Sequence, residues 1–188
     1  MEMSNEYLLT IAVPTYNGSK TIGNMLDVLL PQVTEDVELF VIDNCSTDNT
    51  SQIITNYQKE YPFIQYYANK RNIGADGNFL LCMNKARGKY IYLLSDDDIL
   101  TENSLQRILQ FMKNSPDMGL IYLGTGNFRC KYENAESCEA PRMDPQKSIC
   151  TQDKRIFMDY AKYFWGFVSS FIILRENFMK IQNPEQLH

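Results

Sequence analysis

The chain has a single histidine, and it is the last residue, His188. Without an interior imidazole, a Ser-His-Asp or Cys-His nucleophilic site cannot readily be assembled, and any general base falls to a carboxylate. The five cysteines, Cys45, Cys82, Cys130, Cys138 and Cys150, are odd in number and form no CxxC pair. Reduced thiols in a cytoplasmic setting are the simplest account, and the lack of clustered Cys and His disfavours zinc. A basic stripe is also lacking. The formal charge is −5, and the nearest mid-chain basic cluster, Lys70-Arg71, lies between neutral Asn69 and Asn72; both argue against a nucleic-acid-binding domain. No apolar run exceeds strand length, and Met1 to Glu6 is polar, so neither a transmembrane helix nor a signal peptide is expected. Two nucleotide signatures are missing. No GxGxxG follows the first apolar run, and Gly18-Ser19-Lys20-Thr21 lacks the GxxxxGKS/T spacing of a phosphate loop.

What remains is ordinary in bulk and regular in pattern. At 188 residues, 44% hydrophobic and 22% charged, the chain is the size of one soluble globular domain. Short apolar runs alternate with helical periodicity. Strands are expected at Leu8 to Val13 (stopped by Pro14), Val37 to Ile42, Phe63 to Tyr67, Tyr90 to Leu94, Gly119 to Leu123 and Phe171 to Leu174. Between them, Ser19 reads as the cap of a helix whose face is Ile22, Met25, Leu26 and Leu29, ended by Pro31. Thr47 or Asp48 caps a second helix with Ile53, Ile54 and Tyr57. A third carries Phe79, Leu80 and Met83 and stops at Gly88, and Thr101 caps a fourth with Leu105, Ile108, Leu109 and Met112. Strand–helix alternation of this kind predicts an α/β domain with a mostly parallel central sheet flanked by helices. The regular part ends near Gly126; Phe128 to Asp153 reads as a long polar excursion.

Ligands of open parallel sheets bind beyond the carboxyl ends of the strands. The first strand is followed by Pro14-Thr15-Tyr16-Asn17-Gly18, the second by Asp43-Asn44-Cys45-Ser46-Thr47-Asp48, the fourth by Ser95-Asp96-Asp97-Asp98. Adjacent carboxylates raise one another's pKa unless a positive charge intervenes, so the Asp run suits a hard divalent cation, Mn²⁺ or Mg²⁺, with positions left for phosphate oxygens; a solvated loop or an N-cap cluster for the next helix is the plainer alternative. Asp43 could accept from a base N–H or a ribose hydroxyl, or shape an Asx-turn. Lys70-Arg71-Asn72-Ile73-Gly74 leads into a helix, where phosphate binding and a simple turn are about equally apt. The aromatic group Phe157, Tyr160, Tyr163, Phe164, Trp165, Phe167 and Phe171 reads mainly as core, with Trp165 beside Gly166 a candidate stacking wall for a sugar.

Four blocks in order carry a resemblance: Ile11 to Asn17, Val41 to Asp48, Asn72-Ile73-Gly74, and Gly88 to Asp98. They resemble the family 2 inverting glycosyltransferases over about Leu8 to Leu123. The resemblance implies a Rossmann-like GT-A fold, with 1–126 the nucleotide-sugar-binding half and 127–188 a partial acceptor-side region. It implies that Pro14, Thr15, Tyr16 and Asn17 line the base pocket and that Asp43 binds the base, favouring uracil or thymine, with a UDP-linked donor the first expectation. Arg71 and Asn72 would approach the nucleotide, Asp96 the ribose or sugar, and Asp97 with Asp98 the metal. The family's acidic, DXD-like motif often reads Asp-x-Asp-Asp; here Ser95 stands at its first position. The family's catalytic carboxylate lies in an acidic motif further on, to which Glu185 is a poor match, so the base is unassigned and the chain reads as a short or truncated member. The implied activity is transfer from a nucleoside-diphosphate sugar to a glycan or lipid-linked acceptor in cell-surface polysaccharide synthesis, in the cytoplasm and peripherally at the inner membrane face. The competing readings are a sugar-nucleotide-forming nucleotidyltransferase and a non-catalytic nucleotide-sugar-binding domain.

Overall fold

A computed structural model describes residues 7–116, 118–124, 151–153, 155–156 and 168–182. The elements are β1 (Tyr7–Thr15), α1 (Ile22–Leu29), β2 (Val37–Asp43), α2 (Thr50–Glu60), β3 (Gln65–Ala68), α3 (Gly74–Lys85), β4 (Gly88–Leu93), α4 (Ser104–Asn114), β5 (Leu120–Tyr122), β6 (Phe171–Leu174) and α5 (Arg175–Gln182). One sheet in the order β3-β2-β1-β4-β6-β5 gathers all six strands. The pairs β1–β2, β1–β4 and β2–β3 are parallel; β6 runs antiparallel to both β4 and β5. Five strands therefore point one way, and β6 is the one reversed strand among the described residues.

Side chains alternate across β1. Leu9, Ile11 and Val13 join Leu39 and Val41 of β2 and Tyr90 and Tyr92 of β4, beneath the apolar stripes of α1 and α4 and Ile54 of α2. Ala12 faces the other way, with Phe40 and Ile42 against Cys82 of α3, while Ile91 meets Phe178 of α5. The sheet is thus covered on both faces, which explains why its central strands read as unbroken apolar runs. Ile22, Met25, Leu26 and Leu29 of α1 are all at most 1% exposed. Burying each contributes roughly 1.5–3 kcal/mol.

Several local expectations are corrected. Pro14 does not stop β1, which continues to Thr15. Pairing with β4 ends at Ala12 and Leu93, so the missing N–H of Pro14 costs no ladder bond. Ser19 does not cap α1: its N–H is turned to Asp48 Oδ2 at 3.1 Å, and Thr21 stands at the N-cap. Asn49, rather than Thr47 or Asp48, stands at the N-cap of α2, while Asp48 accepts the Thr50 N–H at 3.0 Å. Thr101 offers α4 its carbonyl, taking the Ser104 N–H at 3.0 Å, while Asn103 is the N-cap residue. The inward face of α3 is Asn78 and Cys82, with Leu80 exposed. Gly88 opens β4 rather than closing a helix. A Cβ there would lie 2.5 Å from the Thr10 nitrogen, so only glycine lets the strands approach. Of the aromatic group, Phe171 lies in β6, tilted against Tyr122 at 5.2 Å; Phe157, Tyr160, Tyr163, Phe164, Trp165 and Phe167 fall outside the described residues.

Buried Glu38 anchors the sheet edge opposite the candidate site. Its carboxylate accepts the Thr10 hydroxyl at 2.7 Å, the Arg87 amide at 2.9 Å and the Arg87 Nε–H at 2.7 Å. Three donors, one of them charged, make a carboxylate that is 2% exposed tolerable.

Candidate functional site

The carboxyl ends of β1 and β2 lie side by side, with Thr15 opposite Asp43. Beyond them the chain turns sharply twice, with Asn17 at φ 55° and Cys45 at φ 68°. The left-handed region is uncommon for residues with a Cβ, Asn less so than Cys. Mutual hydrogen bonds hold these turns: the Asn17 N–H donates to Ser46 Oγ and the Thr47 N–H to Asn17 Oδ1, both at 2.8 Å. Asn17 thereby ties the loop after β1 to the loop after β2.

Asp43 is 2% exposed. Its Oδ1 accepts the Ser46 N–H at 2.7 Å, an Asx-type closure, and its Oδ2 accepts the Tyr66 hydroxyl at 2.8 Å. A carboxylate has about four lone-pair positions, so two donors do not exhaust it. Burial, then the bond to Asp43, raises the Tyr66 phenol above its ordinary value.

Asn44, also buried, organises the loop before α3. Its Nδ2 donates to Asn72 Oδ1 at 2.9 Å and to the Gly74 carbonyl at 3.1 Å. Its Oδ1 accepts Asn69 Nδ2 at 3.1 Å and the Ile73 N–H at 2.9 Å. Asn78 continues the network, bonding Asn69 and donating to the Ile42 carbonyl at 3.0 Å. The loop bearing Arg71 is thus fastened to the end of β2, with Arg71 itself exposed. Tyr16 is 50% exposed on the same edge.

The third strand end brings the acidic run. The Thr15 hydroxyl donates to Asp96 Oδ2, and Gly18 packs so closely on this pair that a Cβ would come within 2.6 Å of Thr15 Oγ1. Ser95 Oγ donates to Asp97 Oδ1 at 2.5 Å, and Asp97 is exposed. The Ser95 N–H donates to Ser169 Oγ at 2.9 Å. Burial raises the pKa of Asp96 and of Asp98; the nearby hydroxyls of Thr15 and Ser169 oppose this, and the charge of Asp97 adds to it. Asp48 goes the other way. Burial would raise it, but bonds from Thr50 and Ser19 hold it down at about 2.

Among the described residues no Lys or Arg pairs with Asp96, Asp97 or Asp98. The donor set is hard oxygen under mutual repulsion, the chemistry that a divalent cation relieves. No three His, Cys, Asp or Glu side chains among the described residues stand together as a closed metal cage. A cation on one or two carboxylates, completed by phosphate oxygens and water, needs no such cage.

The structure thus brings Thr15, Asn17, Asp43, Asn72 and Asp96 into one bonded edge, with Asp97 and Asp98 on the loop that Asp96 begins. The family model described as Glycosyl transferase family 2 matches residues 10–181. This chain belongs to glycosyl transferase family 2. Among the family's relatives, the abequosyltransferase RfbV of Salmonella typhimurium is 33% identical over 119 residues, which is 62% of this chain and 35% of RfbV. The chain therefore spans about a third of that relative's length. The S. aureus TarS fragment 1-349 in complex with UDP-GlcNAc shares the fold at TM-score 0.70 and 20% identity, covering 94% of this chain and 47% of that one. The mannosyltransferase PcManGT from Pyrobaculum calidifontis, in complex with GDP-Man and Mn²⁺, aligns at TM-score 0.57 and 20% identity over 64% of this chain and 36% of its own. The family 2 domain thus has the expected GT-A architecture. Among its described residues no helix is long and apolar enough to cross a membrane.

Sequence reasoning singled out neither Asn44, Tyr66, Gly18 nor Ser169. A run of asparagines at 44, 69, 72 and 78 is a visible signal for the first. Nothing in the local sequence marks Ser169, whose partner Ser95 lies 74 positions away.

Proposed function

We propose that this family 2 chain binds a nucleoside-diphosphate sugar at the carboxyl edge of β1, β2 and β4 and transfers the sugar, with inversion, to a glycan or lipid-linked acceptor. The observation that carries this reading is the Thr15 pairing: opposite Asp43 in the sheet and bonded to Asp96, it joins three strand ends into one polar surface. In this assignment Pro14, Thr15, Tyr16 and Asn17 line the nucleobase pocket. Asp43 accepts from the base, which favours uracil with its N–H. Arg71 and Asn72 face the diphosphate, and Asp96 the ribose or sugar. TarS, bound to UDP-GlcNAc, and PcManGT, bound to GDP-Man, share the fold but differ in base, so base choice rests on the loops.

Asp97 and Asp98 would hold Mn²⁺ or Mg²⁺. Such an ion would supply Lewis-acid neutralisation of charge on the departing diphosphate. The Ser95 hydroxyl donates to Asp97 Oδ1 and so restrains the carboxylate that would hold it. Asp96 keeps its place through Thr15 and Gly18. Direct displacement requires a carboxylate to deprotonate the acceptor hydroxyl; no described residue is assigned that task. Residues 1–126 form the donor-binding half and 127–188 the acceptor-side part. The resemblance of the motifs supports cell-surface polysaccharide synthesis at the cytoplasmic face of the membrane.

The test is a panel of UDP- and GDP-sugars with Mn²⁺, scored for binding and for release of nucleoside diphosphate in the presence of glycan or lipid-linked acceptors. The reading expects one donor to bind and discharge nucleoside diphosphate. Pyrophosphate release from UTP and a sugar phosphate would instead identify a nucleotidyltransferase and overturn it.

A further inference from the structure

Asn44 is 3% exposed, and every hydrogen-bonding position of its side chain is filled. Its Nδ2 donates to Asn72 Oδ1 at 2.9 Å and to the Gly74 carbonyl at 3.1 Å; its Oδ1 accepts Asn69 Nδ2 at 3.1 Å and the Ile73 N–H at 2.9 Å. A primary amide has two N–H donors and room for two acceptor bonds, so nothing is left over. The Asn44 backbone N–H goes to the Thr15 carbonyl at 2.8 Å, which ties the same residue to the end of β1. All four side-chain partners lie in one segment, 69–74, with Arg71 between two of them. The Asn69 N–H, donated to the Asp43 carbonyl at 2.8 Å, fastens the start of that segment to β2. The backbone at Arg71 is therefore held on both sides while its side chain stands exposed.

We propose that Asn44 is a positioning residue that couples the two ends of the nucleotide. Next in the chain to Asp43, and carrying the Arg71 segment on its side chain, it sets the distance between the group that reads the base and the cation that meets the diphosphate. This rests on the nucleotide reading made above. The same bonds decide what the start of α3 offers an anion. The Ile73 N–H is taken by Asn44, the Gly74 N–H by Asn72 Oδ1 at 2.8 Å, and Asp76 brings a negative charge to the first turn. Two of the donors that make a helix N-terminus attractive to phosphate are thus occupied. Contact with the diphosphate falls to the side-chain cation, whose guanidinium can bond two phosphate oxygens at once if its backbone is correctly placed.

The experiment compares uridine with UDP, both in Mn²⁺, by ligand-observed NMR titration of the wild-type chain, Asn44→Ala, Arg71→Ala and the double variant. The expected result in Asn44→Ala is a UDP affinity weakened about tenfold, the worth of one hydrogen bond to a charged group. Uridine affinity should stay within twofold of wild type, and adding Asn44→Ala to Arg71→Ala should cost UDP nothing further. A parallel fall for uridine and UDP would reduce Asn44 to general support of the strand end and overturn the inference. So would full additivity with Arg71→Ala, or UDP affinity kept at the wild-type level in a folded Asn44→Ala chain. If Asn44→Ala does not fold, Asn44→Asp, which keeps the volume and loses both donors to the segment, takes its place under the same criteria. A wild-type chain without affinity for UDP would sink the nucleotide reading itself; one whose UDP affinity survives Arg71→Ala would sink only the coupling.

Discussion

Replacing Gly18 with alanine should damage the site while sparing the fold. Among the described glycines only Gly74 has a positive φ, so Gly18 can accept a side chain without backbone strain. The obstacle is spatial. The added Cβ would lie 2.6 Å from Thr15 Oγ1, about 0.8 Å short of ordinary contact, and nearer still to Asp96 Oδ2. Both neighbours are side-chain ends, so they move, and the Thr15–Asp96 bond is lost. A hydrogen bond to a charged group is worth about 1.5–3 kcal/mol, and misplacing a binding group by about 1 Å costs on the order of 100-fold. UDP affinity in Mn²⁺ should therefore fall roughly ten- to a hundredfold, measured by titration calorimetry. The melting temperature should change by no more than about 4 °C, the equivalent of ~1 kcal/mol in a domain of this size. Wild-type affinity in a folded Gly18→Ala chain would refute the claim that Asp96 is held in place for ligand.

Three further outcomes follow from the same geometry. Gly88→Ala places a Cβ 2.5 Å from the Thr10 nitrogen and 2.7 Å from the Leu9 carbonyl carbon. These backbone atoms cannot yield, so destabilisation should exceed the roughly 1–3 kcal/mol of ordinary overpacking; an unshifted thermal melt would contradict this. Tyr66→Phe leaves one oxygen of buried Asp43 without its donor, and the urea midpoint should report a loss of about 1–3 kcal/mol; an unchanged midpoint would show that Tyr66 does not support Asp43. The pH response has two signs. Asp96 and Asp98, raised above 3.8, contribute stability below that value and lose it as pH rises through their folded pKa values, whereas Asp48 contributes above 3.8 and loses it as pH falls through about 2. If the acidic loop holds Mn²⁺ as proposed, the ion would take the deprotonated carboxylates, so its stabilising effect in melts with UDP should grow as pH rises through their raised pKa values; a pH-independent effect would count against these ligands.

The parts of the fold set by periodic burial could be read from sequence. The stripes of α1 and α4 are apolar at helical spacing because both lie flat on one face of the sheet, and Phe171–Leu174 is the strand it looked to be. Polar burial was the obstacle elsewhere. Asn78 takes an inward position on α3 because its amide satisfies the Ile42 carbonyl and Asn69, so ranking side chains by hydrophobicity turns that helix the wrong way. The insertion of reversed β6 between β4 and β5 is a matter of sheet order, which strand spacing does not encode. At the candidate site, the ends of β1, β2 and β4 are legible because small polar and acidic residues follow those three apolar runs. Their supports are not, since Tyr66 and Ser169 act from another strand and a distant turn through bonds that link residues 23 and 74 positions apart.

The central claim is that one cleft joins a nucleoside diphosphate to the acidic loop through a cation. Calorimetric titration of UDP into the wild-type chain and Asp97→Ala, each with Mn²⁺ and with EDTA, tests it most directly. The account predicts binding by the wild-type chain in Mn²⁺, weakened at least tenfold by EDTA and equally by the Asp97→Ala change. Equal UDP affinity in all four titrations would contradict it.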